Sequence, residues 1–393
     1  MKQIPYGRHS IEQSDIDSVL EVLNSDFLTQ GPQVPAFEKA ISEYVSCEYA
    51  IAVNSATSAL HLACLSLGVG SGDIVWTSPI SFVASANCAI YCGADVDFVD
   101  IDPLSYNMSV DRLSEKLEKA KKENKLPKVI IPVHLAGQSC DMKAIFELRK
   151  TFGFHIIEDA SHAIGGDYLD QKVGSCQYSD ITVFSFHPVK IITTGEGGMC
   201  TTNNLEIANS IYRLRSHGIT RNPKEMTEAP DGSWYYQQIE LGYNYRMNDI
   251  QAALGLSQLK RLDQIVQKRH KIKNNYNKIL AGLPLILPLE MDYARSSLHL
   301  YLVQIKPKEM KAGRKEVFER LRQSGILVNV HYIPIYHQPY YQKKYNYRYS
   351  DFPEAEKYYS HVISLPIYPE LTLEDQDRIK EAIVKPIGHQ VIF

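Results

Sequence analysis

The stretch SDITVFSFHPVKIITTGEGGMCTT, residues 179–202, decides how this 393-residue chain is read. Apolar runs at 180–186 and 197–202 flank a turn that holds a proline, a lysine and glycines at 195, 197 and 198. Each run is short and apolar throughout, the pattern of a strand buried on both faces. Lys190 lies beside the first run, a poor place for a solubilising residue. A lysine in such a setting can lose its charge and act as nucleophile or base; taken alone it also reads as a surface-loop lysine. The glycines let the backbone pass close to another group.

Working outward, further strand-like runs occur at 50–53, 73–77, 95–99, 128–134 and 154–159, with helical patterns at 56–68, 109–122 and 140–152 between them. Strands alternating with crossover helices imply a parallel sheet covered on both sides. The expected fold is therefore α/β, a mostly parallel seven-stranded sheet flanked by helices. The stretch 249–280 has apolar residues at helical spacing and is expected to be one long helix. It would join a large domain, 1–260, to a smaller α+β domain, 261–393. The smaller part carries LYLVQI at 300–305, a helix at 315–324, the segment GILVNVHYIPI and a final helix after 372. Ser14–Asp17 and Thr372–Asp375 both fit the pattern of a capped helix start. Nine of the 25 tyrosines fall between 332 and 359. They read either as a packed surface layer or as a platform on which a sugar or nucleotide stacks.

Composition removes several classes. Lys plus Arg is 42 against 45 for Asp plus Glu, a net charge of −3, and 44% of residues are hydrophobic. A disordered chain would be less apolar. Without a basic field, nucleic acid is not an expected partner. No run approaches the ~18 apolar residues of a membrane helix, and MKQIPYGRHS has no secretory apolar core. Seven cysteines without a CxxC pair point to a reducing cytoplasm rather than a disulfide framework. The thirteen histidines form no HExxH, so no metal is expected.

In open α/β sheets, function sits past the carboxyl ends of strands. After the first run comes NSATSA, 54–59, whose helix start offers a phosphate cradle or an ordinary cap. After the second comes SPISF, where Phe82 can lie on a planar ring or pack in the core. After the fifth comes Glu158-Asp159-Ala-Ser-His162. Alternation sends the two carboxylates to opposite faces, so one, Asp159, can enter a pocket and pair with a protonated heterocyclic nitrogen; it can also be a helix cap. His162 reads as a core histidine or a polar ligand contact. Ser185 stands five residues before Lys190, and Lys190 stands 31 after Asp159. Each feature is weak alone. Together they supply what pyridoxal phosphate needs: Lys190 to bond its aldehyde, Asp159 for its ring nitrogen, the 54–59 helix start and Ser185 for its phosphate.

NSATSALH, VWTSPISFVASAN, PVHLAGQSCDM, IIEDASHAIGG, LRSHGITR and the 179–199 motif resemble the DegT/DnrJ-type sugar aminotransferases of pyridoxal-phosphate fold type I. So do IPYGRHSIEQSDID at the start and GYNYRMNDIQAALGLSQL at 242–259. The resemblance runs over nearly the whole chain. It implies that Lys190 is the catalytic lysine and proton carrier, with Asp159 at the pyridine nitrogen. It implies Phe82 on the ring, His162 near its hydroxyl side, and Ala56, Thr57 and Ser185 on the phosphate. Asn244 would reach the phosphate of a neighbouring subunit, so the implied assembly is a homodimer with shared sites. Tyr6, the loop Asp26, Phe27, Leu28, Thr29, and Val330, His331 and Tyr332 would touch a UDP-sugar. The implied amino donor is L-glutamate, with pyridoxamine phosphate as the alternate cofactor form. In relatives that act as dehydratases a histidine replaces the lysine, so Lys190 favours transamination. A related nucleotide-sugar acceptor and a non-catalytic cofactor-binding regulator remain as other readings.

Overall fold

The computed structural model describes residues 3–384. Seven strands form the main sheet: β1 (Tyr49–Val53), β2 (Ile74–Thr77), β3 (Asp95–Phe98), β4 (Val129–Ile131), β5 (His155–Asp159), β6 (Ile181–Ser185) and β7 (Gly198–Thr202). Their spatial order is β1-β7-β6-β5-β4-β2-β3. β7 runs antiparallel to both neighbours, and the other pairings are parallel. Every expected run of the large domain is a strand. β4 to β7 are buried almost throughout, as uniformly apolar runs should be.

Helices α1 (Gln13–Leu23) and α2 (Gln33–Val45) precede the sheet. α3 (Ala56–Ser66), α4 (Ala84–Tyr91), α5 (Val110–Lys122), α6 (Met142–Phe152) and α7 (Leu205–Leu214) cover it. α1 starts earlier than the sequence suggested. Its box is made by Glu12 and Asp15, because Asp15 turns inward to Ser257, Gln258 and Arg261 instead of leaving Ser14 to cap.

The long helix expected over 249–280 is two helices, α8 (Asp249–Leu259) and α9 (Leu262–Ile279). They part at Lys260–Arg261, where the Arg261 guanidinium is drawn to Glu12 and Asp15. α8 packs on α1 and α2, whereas α9 packs on the final helix, Leu373–Val384. The helix start expected at Thr372–Asp375 is present, with Asp375 N donating to Thr372 Oγ1 at 3.1 Å.

The C-terminal part has a three-stranded antiparallel sheet of Leu285–Ile286, Tyr301–Ile305 and Val362–Leu365. The chain's first described strand, Ile4–Pro5, pairs with Ile326–Leu327, and Ile4 packs in this second core. Tyr6 is thereby fixed beside the main sheet, its carbonyl accepting from Ile367 N at 3.1 Å. The buried Arg269 donates to the carbonyls of Leu298 and Ile367, tying the same segments together. The Tyr-rich segment is mostly packing. Tyr336, Tyr341 and Tyr347 ring Phe98 at 5.2–6.2 Å between centroids, with their hydroxyls on Glu356, Asn87 and the Val96 carbonyl.

Asp249, fully buried, accepts from Gly31 N at 2.9 Å and Gln33 N at 2.8 Å and so pins the 26–33 loop to α8. Asp249→Ala strands both amides. We expect a loss of about 1–3 kcal/mol in a urea melt, with faster proteolysis of that loop than elsewhere.

Candidate active site

Parallel strands aim their carboxyl ends at one edge of the sheet, and β7, being antiparallel, starts there. Gly198 at that start touches the turn after β1. A Cβ on it would sit 2.5 Å from Ser55 C and 2.6 Å from Ala56 N, so glycine lets α3 begin directly against the strand. Ser55 caps α3 by accepting from Ser58 N. The N–H groups of Ala56 and Thr57 are then left for a ligand at the positive end of the helix.

The edge holds a cavity of about 410 Å³. Lys190, Asp159, His162, Ser185, Phe82, Ala56 and Thr57 all line it. So do Tyr6, Val330, His331 and Tyr332, supplied by the chain's start and by its C-terminal part. The structure thus gathers eleven of the residues expected from sequence. Asn244 and residues 26–29 do not line this cavity. Asn244 is exposed, and its backbone pairs with Ser216 on another face. Phe27 and Leu28 are likewise exposed.

Glu158 and Asp159 do point to opposite faces. Glu158 turns into the core, 2.7 Å from His134 Nε2 and accepting from Ser179 and Thr182. Cys140 N donates to His134 Nδ1, so Nε2 carries the proton given to Glu158. Asp159 faces the cavity. Its Oδ2 accepts from Ser85 at 2.6 Å, and its Oδ1 accepts from Ser161 Oγ at 2.5 Å and Ser161 N at 3.2 Å.

Lys190 reaches the cavity from the turn after β6. Burial is the main reason its ammonium is destabilised, lowering the pKa to about 8; the carboxylate of Asp159 works the other way. His162 is kept neutral by burial, then by the charge of Lys190 and by His331. Its Nδ1 accepts from Ala136 N, so Nε2–H donates to the Tyr332 hydroxyl 3.0 Å away. His331 is pushed down to about 3, first by burial and then by Lys190. Phe82 is 59% exposed and presents an open ring at the cavity wall.

These groups fit pyridoxal phosphate. Free amides and Ser185 suit the phosphate, the open Phe82 ring suits a planar partner, and Asp159 suits a cationic ring nitrogen. Three more serines belong to the site. Ser81 and Ser161 line it, and Ser85 stands behind Asp159. Ser81 and Ser85 lie in VWTSPISFVASAN, but nothing in that string tells which of its serines faces the carboxylate.

Residues 9–384 match the DegT/DnrJ/EryC1/StrS aminotransferase family. The chain is 40% identical over 382 residues to the Bacillus subtilis spore coat polysaccharide biosynthesis protein SpsC, covering 97% of this chain and 96% of that one. It is 39% identical over 381 residues to a UDP-4-amino-4,6-dideoxy-N-acetyl-β-L-altrosamine transaminase of Campylobacter jejuni, again covering 97% and 96%. Among solved structures it resembles Helicobacter pylori PseC, an aminotransferase involved in the biosynthesis of pseudoaminic acid. The TM-score is 0.88 at 35% identity over 98% of both chains. Spr1654 of Streptococcus pneumoniae, solved in a PLP form, matches with a TM-score of 0.85 at 31% identity over 97% of both chains. Its PMP form matches with a TM-score of 0.85 at 30% identity, over 97% of this chain and 96% of that one.

The lowered pKa of Lys190 has a kinetic consequence. Only the neutral amine attacks an aldehyde. Capture of pyridoxal phosphate by cofactor-free protein should therefore quicken with pH through about 8 and level off above it, well below the 10.5 of an ordinary lysine. Stopped-flow growth of the visible band reads this directly. A rate still climbing at pH 10 would refute the buried-amine account.

Proposed function

The chain belongs to the DegT/DnrJ/EryC1/StrS aminotransferase family and is a pyridoxal-phosphate-dependent sugar aminotransferase of fold type I, and from that premise we propose its substrates. The amino group moves from L-glutamate to C4 of a UDP-4-keto-6-deoxy-N-acetylhexosamine, UDP-2-acetamido-2,6-dideoxy-β-L-arabino-hexos-4-ulose. The product is UDP-4-amino-4,6-dideoxy-N-acetyl-β-L-altrosamine, a step in pseudaminic acid biosynthesis. The observation that carries this reading is 39% identity, end to end, with the Campylobacter jejuni enzyme named for that product. The similarity to SpsC at 40% favours a second reading, the same reaction on a related UDP- or dTDP-keto sugar.

When bound, the cofactor supplies an aldehyde that exchanges amines and a ring that accepts electrons. The amides of Ala56 and Thr57, with the Ser185 hydroxyl, would hold its phosphate. Asp159 would keep a proton on the ring nitrogen, Phe82 would lie against the ring face, and His162 would meet its hydroxyl side. Lys190 Nζ, whose neutral form becomes the major one above a pH of about 8, would take the proton from the substrate carbon and deliver it on the cofactor side. Glutamate leaves as 2-oxoglutarate. In the second half the same nitrogen returns a proton to C4 of the sugar. Tyr6, Val330, His331 and Tyr332 would form the sugar side of the pocket.

Phe27, Leu28, Trp234 and Leu241 leave apolar surface exposed, and Asn244 lies outside its own subunit's cavity. We read these as contacts of a homodimer in which Asp26, Phe27, Leu28, Thr29 and Asn244 complete the neighbouring site. Such an enzyme works where keto-sugar nucleotides are made, in the cytoplasm.

Two experiments test this. Purified protein incubated with glutamate and the keto sugar should yield a product whose mass shows the keto oxygen replaced by an amine. Loss of a ring hydroxyl instead would make it a dehydratase, and no conversion of bound cofactor by glutamate would overturn the donor or the enzyme class. Separately, Lys190→Ala and Asn244→Ala should each be inactive, yet a mixture re-equilibrated into hybrids should recover up to about a quarter of the wild-type rate, because one site per hybrid is intact. A mixture no better than its components would exclude shared sites.

A further inference from the structure

Asp159 does not meet the cavity as a bare carboxylate. Ser85 lies on α4, which packs on β2, β3 and α3, and its hydroxyl reaches Asp159 Oδ2 at the end of β5, 2.6 Å away. Ser81 Oγ lies 2.6 Å from Ser85 Oγ in turn. Both serines are buried, at 4% and 1% exposure. Ser85 has one proton and gives it to the carboxylate, so it accepts from Ser81, and the pair forms a directed chain of hydroxyls. On the other side Ser161 binds Oδ1 twice, through Oγ and N. The carboxylate plane is therefore fixed from both ends before any ligand arrives.

We propose that Ser85, backed by Ser81, is a positioning residue that aims the Asp159 carboxylate at the ring nitrogen of the cofactor. The inference rests on the role assigned to Asp159 above. Ser85 touches neither cofactor nor substrate. Its effect runs through one oxygen of Asp159; without it the carboxylate would be held only at Oδ1, by Ser161, and its orientation about χ2 would be less fixed. An ion pair or charge-assisted hydrogen bond to a flat heterocycle depends on that angle. The surroundings suit the task. Ala84, Ala86, Cys88 and Ala89 are small and buried, so α4 packs tightly against α3, β2 and β3 and the short Ser85 side chain still reaches Asp159 directly.

The test needs a readout that a loss of packing would not move. A proton held on the ring nitrogen disfavours a second proton elsewhere on the conjugated cofactor, because like charges repel. Weakening that hold should raise the pH midpoint of the bound cofactor's visible absorption. The charged and titratable groups that line the cavity are Asp159, Lys190, Glu196, His162, His187, His331, Tyr6 and Tyr332. Holoenzyme is titrated spectroscopically as wild type, Ser85→Ala, Ser81→Ala and Asp159→Asn, and cofactor affinity of the stripped proteins is measured alongside.

For Ser85→Ala we expect the midpoint to rise by about half a pH unit and cofactor affinity to fall about tenfold, with a smaller change in Ser81→Ala and the largest in Asp159→Asn. kcat should fall while KM for glutamate moves little, and Ser85→Thr, which keeps the hydroxyl, should restore the wild-type midpoint. If Asp159→Asn shifts the midpoint and Ser85→Ala does not, the inference is overturned and the role of Asp159 survives. If Asp159→Asn leaves the midpoint unmoved, that role falls and the inference with it. Should Ser85→Ala not fold, Ser81→Ala decides alone: an unshifted midpoint there counts against the chain of hydroxyls.

Discussion

One buried charge governs the architecture of the site: the carboxylate of Asp159 at the carboxyl end of a central strand. Burying such a group without partners costs several kcal/mol. The fold answers it with Ser85 from α4 and Ser161 from the loop that follows β5. Each answer imposes a demand elsewhere. α4 must run close to the sheet, which requires the small residues of 84–89. The chain after β5 must turn at once, which brings His162 to the cavity. The neighbouring carboxylate, Glu158, needs its own polar shell on the opposite face, and His134, Ser179 and Thr182 provide it.

The cavity is divided electrically. At one end stand the amides that open α3 and the Ser185 hydroxyl, a surface for an anion. Asp159 supplies the fixed negative charge elsewhere in the wall. Lys190 works in a setting where burial disfavours its charged form more than Asp159 favours it. The histidines nearby add polarity without charge, because burial keeps His162 and His331 neutral. A cationic imidazole there would compete with the ring nitrogen for Asp159. Neutral rings leave that carboxylate to one partner and still offer directed hydrogen bonds, such as His162 to Tyr332.

Most of this was legible in the sequence where burial makes the pattern one-dimensional. Strands sealed on both faces are apolar runs, and all seven could be read. The residues that gather at the cavity could be read because strand ends put them in order along the chain. α4 was not read as a helix: it is largely buried and therefore carries no polar stripe to reveal a helical period. The break at Lys260–Arg261 has neither proline nor glycine to mark it. It arises because the two halves serve different partners, a fact of tertiary packing. The tyrosines of 332–359 offered two readings, and Phe98, 235 residues or more distant in sequence from all but the cavity's Tyr332, decides for packing at Tyr336, Tyr341 and Tyr347. Ser85 could not be singled out, since its meaning depends on a contact with Asp159 that only the tertiary fold makes.

The remaining residues of the expected site pose a different question, because the chain holds them away from this cavity. Loop 26–33 is stapled by a fully buried aspartate, yet it presents Phe27 and Leu28 to solvent. Trp234 and Leu241 are 71% and 78% exposed on the segment that leads to Asn244. Large exposed apolar side chains on ordered segments are what an interaction surface would use, where they join into one patch. The homodimer proposed above resolves both facts at once. Covering those side chains would supply the association energy, and the same ordered segments would carry the missing groups to the neighbouring site. On that account Asp249 acts at a distance: it shapes a loop whose chemical use lies in the other subunit, so assembly and catalysis would fail together when the staple is cut.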